Sequence, residues 1–173
     1  MAIPGIGNIL NIADVTLQTA TPEQMPPAPL AANYDLRWGE IARRIGARKL
    51  GYNLTVIAPG KLACPFHNHR SQEEMFFILE GSGELRLGNE RHPIRSGDII
   101  ACPPGGQETA HQIINTGDVE MRFLAVSSNG ETDICEYPDS GKYQVIEPAQ
   151  DETQRSFRIV GRYDSTVDYW EGE

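Results

Sequence analysis

Three of the four histidines in this chain fall in two short stretches, His67-Asn68-His69 with Glu74 close behind, and His111 further on. Imidazole nitrogens with one carboxylate oxygen suit a divalent transition metal such as Mn, Fe, Ni, Zn or Cu, whereas Mg and Ca want oxygen alone. On an extended strand the side chains at i and i+2 share a face, so His67 and His69 can aim at one point while Asn68 points away. The polar connection Arg70-Ser71-Gln72-Glu73 can then turn the chain and set Glu74 facing back toward the pair, on one face with Phe76 and Ile78. A carboxylate on such an apolar face is costly to bury unpaired, and a cation removes the cost. A lone core histidine is ordinarily hydrogen-bonded and not ligating; it is the clustering with a spaced glutamate that points to metal. His92, beside Pro93, reads as a solvated edge residue.

The elements that must hold these residues read as strands. Leu50 to Ile57 alternates Leu50, Tyr52, Leu54 and Val56 with smaller or more polar residues, and Pro59-Gly60 closes it. Met75 to Leu79 and Glu84 to Leu87 follow, separated by a turn at Gly81-Ser82-Gly83. No helix start follows those glycines, so they are not a phosphate loop. Gly88-Asn89 and Gly97-Asp98 offer further turns, and Ile99 to Cys102 runs into Pro103-Pro104-Gly105-Gly106, where a ladder must end. Gln112 to Ile114 and Met121 to Val126 flank a turn at Asn115-Thr116-Gly117-Asp118. Short strands at this pitch leave raw edges as a flat sheet, so closure into a barrel or sandwich is expected.

Residues 1–33, with Pro22, Pro26, Pro27 and Pro29, read as an arm that either stays mobile or lies across a neighbour. Residues 34–127 are expected to form the barrel with the metal site, and residues 128–173 an extension packed outside it. In that extension Tyr137-Pro138-Asp139-Ser140-Gly141 reads as a turn and Arg158 to Tyr163 as a strand.

A formal charge of -9 argues against nucleic acid and against anionic lipid as partners, leaving a small molecule or another protein. The apolar stretch from Met1 to Leu10 is broken by Pro4, Gly5 and Gly7 and has no basic flank, which fits neither a signal peptide nor a membrane span. The three cysteines, Cys64, Cys102 and Cys135, are odd in number and lack CxxC spacing, as expected of buried thiols in the cytoplasm.

The stretch from Gly60 to Gly81, with His67, His69 and Glu74, resembles the first cupin motif, G-x5-H-x-H-x(3 or 4)-E-x6-G. Counting back from Gly81, the six-residue spacer lands on Glu74, so Glu73 should face away. Gly97, Pro103, Gly105, His111 and Asn115 resemble the second motif, G-x5-P-x-G-x2-H-x3-N. Two spacings depart: six residues separate Gly60 from His67, and five separate Gly105 from His111. The resemblance spans about Leu50 to Val126 and is to a single-domain bacterial cupin. It implies an all-β fold, the cupin double-stranded β-helix or jelly-roll barrel, with His67, His69, Glu74 and His111 holding one divalent transition metal.

Two kinds of activity follow from that resemblance: isomerases of sugars or sugar phosphates, and dioxygenases or decarboxylases of small acids. A metalloenzyme acting on a small oxygen-rich molecule is therefore the first reading, with Phe76, Ile78 and Ile113 lining the substrate pocket. Glu108, in the loop before His111, could serve as a general base, although a solvated loop charge is the commoner state. The other reading is a non-catalytic binding module whose metal is structural or captures a ligand. A phosphorylated substrate would need cations near the mouth, and the nearby candidates Arg70, Lys61 and Arg86 are few. Because a closed barrel has no room for the apolar groups of the arm and of Val167-Asp168-Tyr169-Trp170, a homodimer is expected, with arm or tail crossing to the partner.

Overall fold

The computed structural model describes residues 7–129, 132–149 and 156–173, so the first six residues of the Met1 to Leu10 stretch lie outside the described part. The expected all-β class holds. The strands are β1 (Gln18–Thr19), β2 (Leu36–Glu40), β3 (Leu50–Ile57), β4 (Asn68–His69), β5 (Glu74–Glu80), β6 (Ser82–Leu87), β7 (Glu90–Arg95), β8 (Ile99–Cys102), β9 (His111–Ile114), β10 (Met121–Ser128), β11 (Asp133–Tyr137), β12 (Lys142–Glu147) and β13 (Phe157–Arg162). Among the described residues only short 3-10 turns interrupt them, and no helix is long and apolar enough to cross a membrane.

One wall is a six-stranded sheet in the order β1-β2-β3-β10-β5-β8. The other consists of two sheets, β7-β6-β9 and β13-β12-β11-β4, joined where His67 and His111 form an antiparallel bridge. His111 N donates to His67 O at 2.8 Å, and His67 N donates to His111 O at 3.2 Å. Gly81 makes the turn from β5 to β6 at φ +81°, a conformation L side chains rarely adopt. The strand begins at Ser82, so the turn is tighter than the expected Gly81-Ser82-Gly83.

The barrel core is built from residues that alternate inward along these strands, among them Ile57, Phe76, Ile78, Leu85, Ile113 and Phe123. A second, smaller core lies on the outside of β3. There Val15 packs with Ile41 and Leu54, and Leu10, Leu17 and Tyr52 close over them. The arm's apolar side chains therefore find a surface on their own chain, and β1 caps the edge of β2 through the pairs Gln18↔Trp38 and Thr19↔Arg37. The tail differs, because Val167, Tyr169 and Trp170 are all exposed.

The extension beyond residue 127 continues the second wall. β11 pairs with the histidine strand β4 through Cys135↔His69 and Glu136↔Asn68. Side chains directly opposite across an antiparallel pair share a face, so this register decides which extension residues look toward His69 and which look away.

Candidate metal centre

Each proposed ligand sits where a strand starts or ends. His67 precedes β4, His69 ends it, Glu74 opens β5 and His111 opens β9. The three histidines come from the second wall and Glu74 from the first, so the cluster spans the barrel. Glu74 Oε2 is the meeting point, 2.9 Å from His111 Nε2, 3.3 Å from His69 Nε2 and 3.6 Å from His67 Nε2. Glu73 is exposed, as the spacing to Gly81 predicts. His92 is half exposed beside Glu90, its Nε2 3.2 Å from Glu90 Oε2.

The far side of each ring is also engaged. His67 Nδ1 lies 2.9 Å from Pro65 O, His69 Nδ1 2.6 Å from Asp133 Oδ2 and His111 Nδ1 3.3 Å from Thr109 O. All three partners are acceptors, so Nδ1 carries the proton in every ring and Nε2 is left to face Glu74. Three ring nitrogens thus surround one carboxylate oxygen, and His67, Glu74 and His111 lie within mutual reach of one ion, with His69 Nε2 3.3 Å from Glu74 Oε2. That donor set fits a single divalent transition ion.

Electrostatics in the metal-free chain agree. Burial opposes charge on His67 and His69, yet both pKa values lie above the ordinary imidazole range: Cys64 and Glu74 outweigh burial at His67, and Asp133 and Glu74 outweigh it at His69. Burial likewise works against an ionised Glu74, but the hydrogen bonds from His111, His67 and His69 hold its pKa far below the usual carboxylate value. Without an ion the site keeps extra protons between nitrogen and carboxylate. A metal cation does the same electrostatic work with one charge centre.

Asp133 touches the cluster through His69, a contact that sequence spacing does not reveal. Its side chain has no solvent exposure. Besides His69 it accepts hydrogen bonds from Ser71 N at 2.9 Å, Ser71 Oγ at 3.0 Å and Gln72 N at 3.3 Å. Burial alone would raise its pKa, but the bonds from His69 and Ser71 bring it down to about 2. Asn68 points away from the site as expected, donating to Glu136 Oε2 at 2.7 Å and Gly105 O at 3.0 Å.

Cys135 lies close enough to His67 and His69 to form a second group of potential ligands, alongside the group His67, Glu74 and His111. Burial pushes its thiol pKa up, and that of Cys102 to about 12, so both thiols stay protonated at neutral pH. The five-residue spacer between Gly105 and His111 is a short 3-10 turn at Gln107–Thr109, and it delivers the Thr109 carbonyl to His111. Glu108 in that turn is exposed and accepts from Gly106 N at 2.9 Å, a bond that lowers its pKa. Phe76 stands 5.6 Å from the His111 ring, and Ile78 and Ile113 lie with it in the barrel core.

A family model for the cupin domain matches residues 53–127, the segment that carries all four proposed ligands. The chain carries a cupin domain. Its fold resembles the crystal structure of a sugar phosphate isomerase of the cupin superfamily from Silicibacter pomeroyi, with a TM-score of 0.74, 24% identity, and 91% of this chain and 94% of that one covered. Within the cupin domain the chain is 35% identical over 70 residues to an oxalate-binding protein of Thermotoga maritima, covering 40% of this chain and 54% of that protein. It is 33% identical over 89 residues to a glucose-6-phosphate isomerase of Pyrococcus horikoshii, covering 44% of this chain and 46% of that protein. The chain spans about half the length of the curated relatives it matches. Asp133 lies beyond the matched cupin segment, which ends at residue 127.

Proposed function

We propose that this cupin is a metal-dependent enzyme acting on a small oxygen-rich molecule, with isomerisation of a sugar or sugar phosphate as its reaction. The observation that carries the metal is the convergence of three Nε2 atoms on Glu74 Oε2 while every Nδ1 is tied to an acceptor. His67, His69, Glu74 and His111 would hold the ion. Bound there, a divalent ion supplies Lewis acidity toward the neighbouring oxygens of a hydroxy-carbonyl compound. The relatives named as glucose-6-phosphate isomerases and the sugar phosphate isomerase of similar fold support this substrate class.

The chain's own residues do the rest. Asp133 orients His69, Phe76 excludes water beside His111, and Tyr137 lies with its ring 6.3 Å from that of His67. Burial raises the Tyr137 pKa well above the ordinary phenol value, and its hydroxyl, which donates to Gln144 Oε1, would donate to a substrate oxygen by turning from that amide. Glu108 retains the role of proton acceptor only if its loop swings the carboxylate off Gly106.

The similarity to an oxalate-binding protein favours a second reading, in which the same site captures a small acid without turnover. One experiment separates the two. Protein purified without added metal is analysed for its metal content, then incubated with aldose and ketose phosphates. Interconversion that a chelator abolishes and metal restores supports the enzyme; oxalate binding with no turnover of any sugar supports the binding module.

A further inference from the structure

A phosphorylated substrate needs a cation; Arg70 is paired to Glu136, Arg86 to Asp139 and Lys61 to the Ala32 carbonyl, and the register of the extension sheet provides others. His69 and Cys135 are directly opposite, so the face of β11 that carries Cys135 also carries Asp133 and Tyr137. Across the next pair, Gln144 is opposite Cys135 and Lys142 opposite Tyr137. One strand further out, Arg158 is opposite Ile146 and Arg162 opposite Lys142. The side chains confirm the register: Tyr137 donates to Gln144 Oε1 at 3.3 Å, and Lys142 Nζ lies 5.5 Å from the Tyr137 ring centroid.

The reverse face is of another character. It carries Ile134, Ile159 and Phe157, together with Glu136, Tyr143 and Tyr163, and Glu147 also falls there. Along the described part of the metal-side face the carboxylate is Asp133, already occupied by His69 and Ser71. In a chain of net charge -9, this gathers Lys142, Arg158 and Arg162 on one face of one sheet, continuous with a metal ligand. Arg162 is held in place by donating from Nη1 to Ser140 O at 2.8 Å.

We propose that this face is the distal half of the substrate site, where Lys142, Arg158 and Arg162 bind the anionic end of a substrate whose other end faces the metal ligands. The inference rests on the metal-site reading above. With strands about 4.8 Å apart and about 3.3 Å per residue along each, the backbone of Lys142 lies roughly 12 Å from that of His69 and those of Arg158 and Arg162 roughly 16 Å, gaps that a six-carbon chain with a terminal anionic group closes once these long side chains lean inward. Tyr137 and Gln144 lie between the two ends and offer a hydroxyl and an amide to the hydroxyls of the chain. A phosphate or a carboxylate would satisfy the cations, and the test distinguishes them.

Three ligands with the same hydroxy-acid head serve as probes for metal-loaded protein: gluconate, 6-phosphogluconate and glucarate. Calorimetry is expected to show 6-phosphogluconate binding about tenfold or more tighter than gluconate, the scale of one or two charge-assisted bonds. A matching gain for glucarate assigns the subsite to any anion; a gain for 6-phosphogluconate alone assigns it to phosphate. The variant Lys142→Gln/Arg158→Gln/Arg162→Gln should erase the difference while metal content and gluconate affinity stay unchanged, and Lys142→Gln alone should reduce it if the triple variant does not fold. No preference in the native chain, or a preference that survives these substitutions, overturns the proposal. Gluconate binding that is indifferent to metal would instead overturn the metal-site reading, so the two failures are distinguishable.

Discussion

Asp133 Oδ2 lies 2.6 Å from His69 Nδ1 although 64 residues separate them in the chain. The contact exists because β11 pairs with the two-residue strand β4, which places the extension's carboxylate directly behind a proposed metal ligand. A carboxylate in that position keeps the proton on Nδ1 and makes Nε2 a better donor. Asp133→Asn should therefore weaken metal binding by about 10–100-fold, the usual cost of an outer-shell change, while the amide oxygen can still accept from Ser71. Competition against a coloured chelator measures this, and an unchanged affinity would remove Asp133 from the site.

Loss of a direct ligand should cost more than that. Alanine at His67, His69, Glu74 or His111 is expected to strip the metal during purification, whereas Glu73→Ala and His92→Ala retain it. Elemental analysis of the six proteins decides the register, and metal retained in Glu74→Ala but lost in Glu73→Ala would show the wrong carboxylate was chosen.

Acid should remove the metal before it removes the fold. His67 and His69 have raised pKa values in the metal-free chain, so at neutral pH an incoming ion must displace protons and its affinity falls as pH drops. Release is expected below roughly pH 5.5. Asp133 behaves oppositely: its pKa is depressed from 3.8 to about 2, so the stability it contributes is present above 3.8 and is lost as pH falls through about 2. Between these limits the protein should be metal-free and still folded. In the metal-free state the raised histidines stabilise the fold below their unfolded value of 6.5, and that contribution fades as pH rises through their folded values. Melting curves with and without metal across this pH range test both signs; simultaneous loss of metal and structure would contradict them.

The arm should contribute to stability within its own chain. A Cβ added at Gly39 would meet Val15 Cγ1 at 2.2 Å and Thr16 O at 2.9 Å, so the arm crosses β2 where no side chain is tolerated. Gly39→Ala is expected to cost about 1–3 kcal/mol in denaturant unfolding, the range for overpacking a close contact. A neutral result would mean the arm is not docked there.

Val167, Tyr169 and Trp170 remain uncovered, and a homodimer is the assembly we propose for them. Light scattering at micromolar concentration should give twice 19.1 kDa, and truncation before Val167 should return it to the monomer mass. A monomer in the untruncated chain would rule this assembly out.

Local sequence determined the alternation of β3, β5 and β10 and the turns at Gly81, Gly88 and Gly97, because these depend on a two-residue period or on backbone preference within a few residues, while the choice of Glu74 over Glu73 came from the motif spacing that the cupin resemblance implies. It also brought His67, His69, Glu74 and His111 under suspicion together, since their residue types and spacings are readable without knowing what lies opposite them. Asp133, Cys135 and Tyr137 carry no such signal. They reach the site only through the register of β11 on β4, and Lys142, Arg158 and Arg162 follow only from the registers of β12 and β13. The docking of Val15 and Leu17 beside Leu54 is equally invisible in a Pro-rich stretch without periodicity. Antiparallel pairing between distant segments is set by which faces can be buried together across the whole barrel, and a one-residue slip would turn every one of these side chains to the other face. That decision belongs to the tertiary structure.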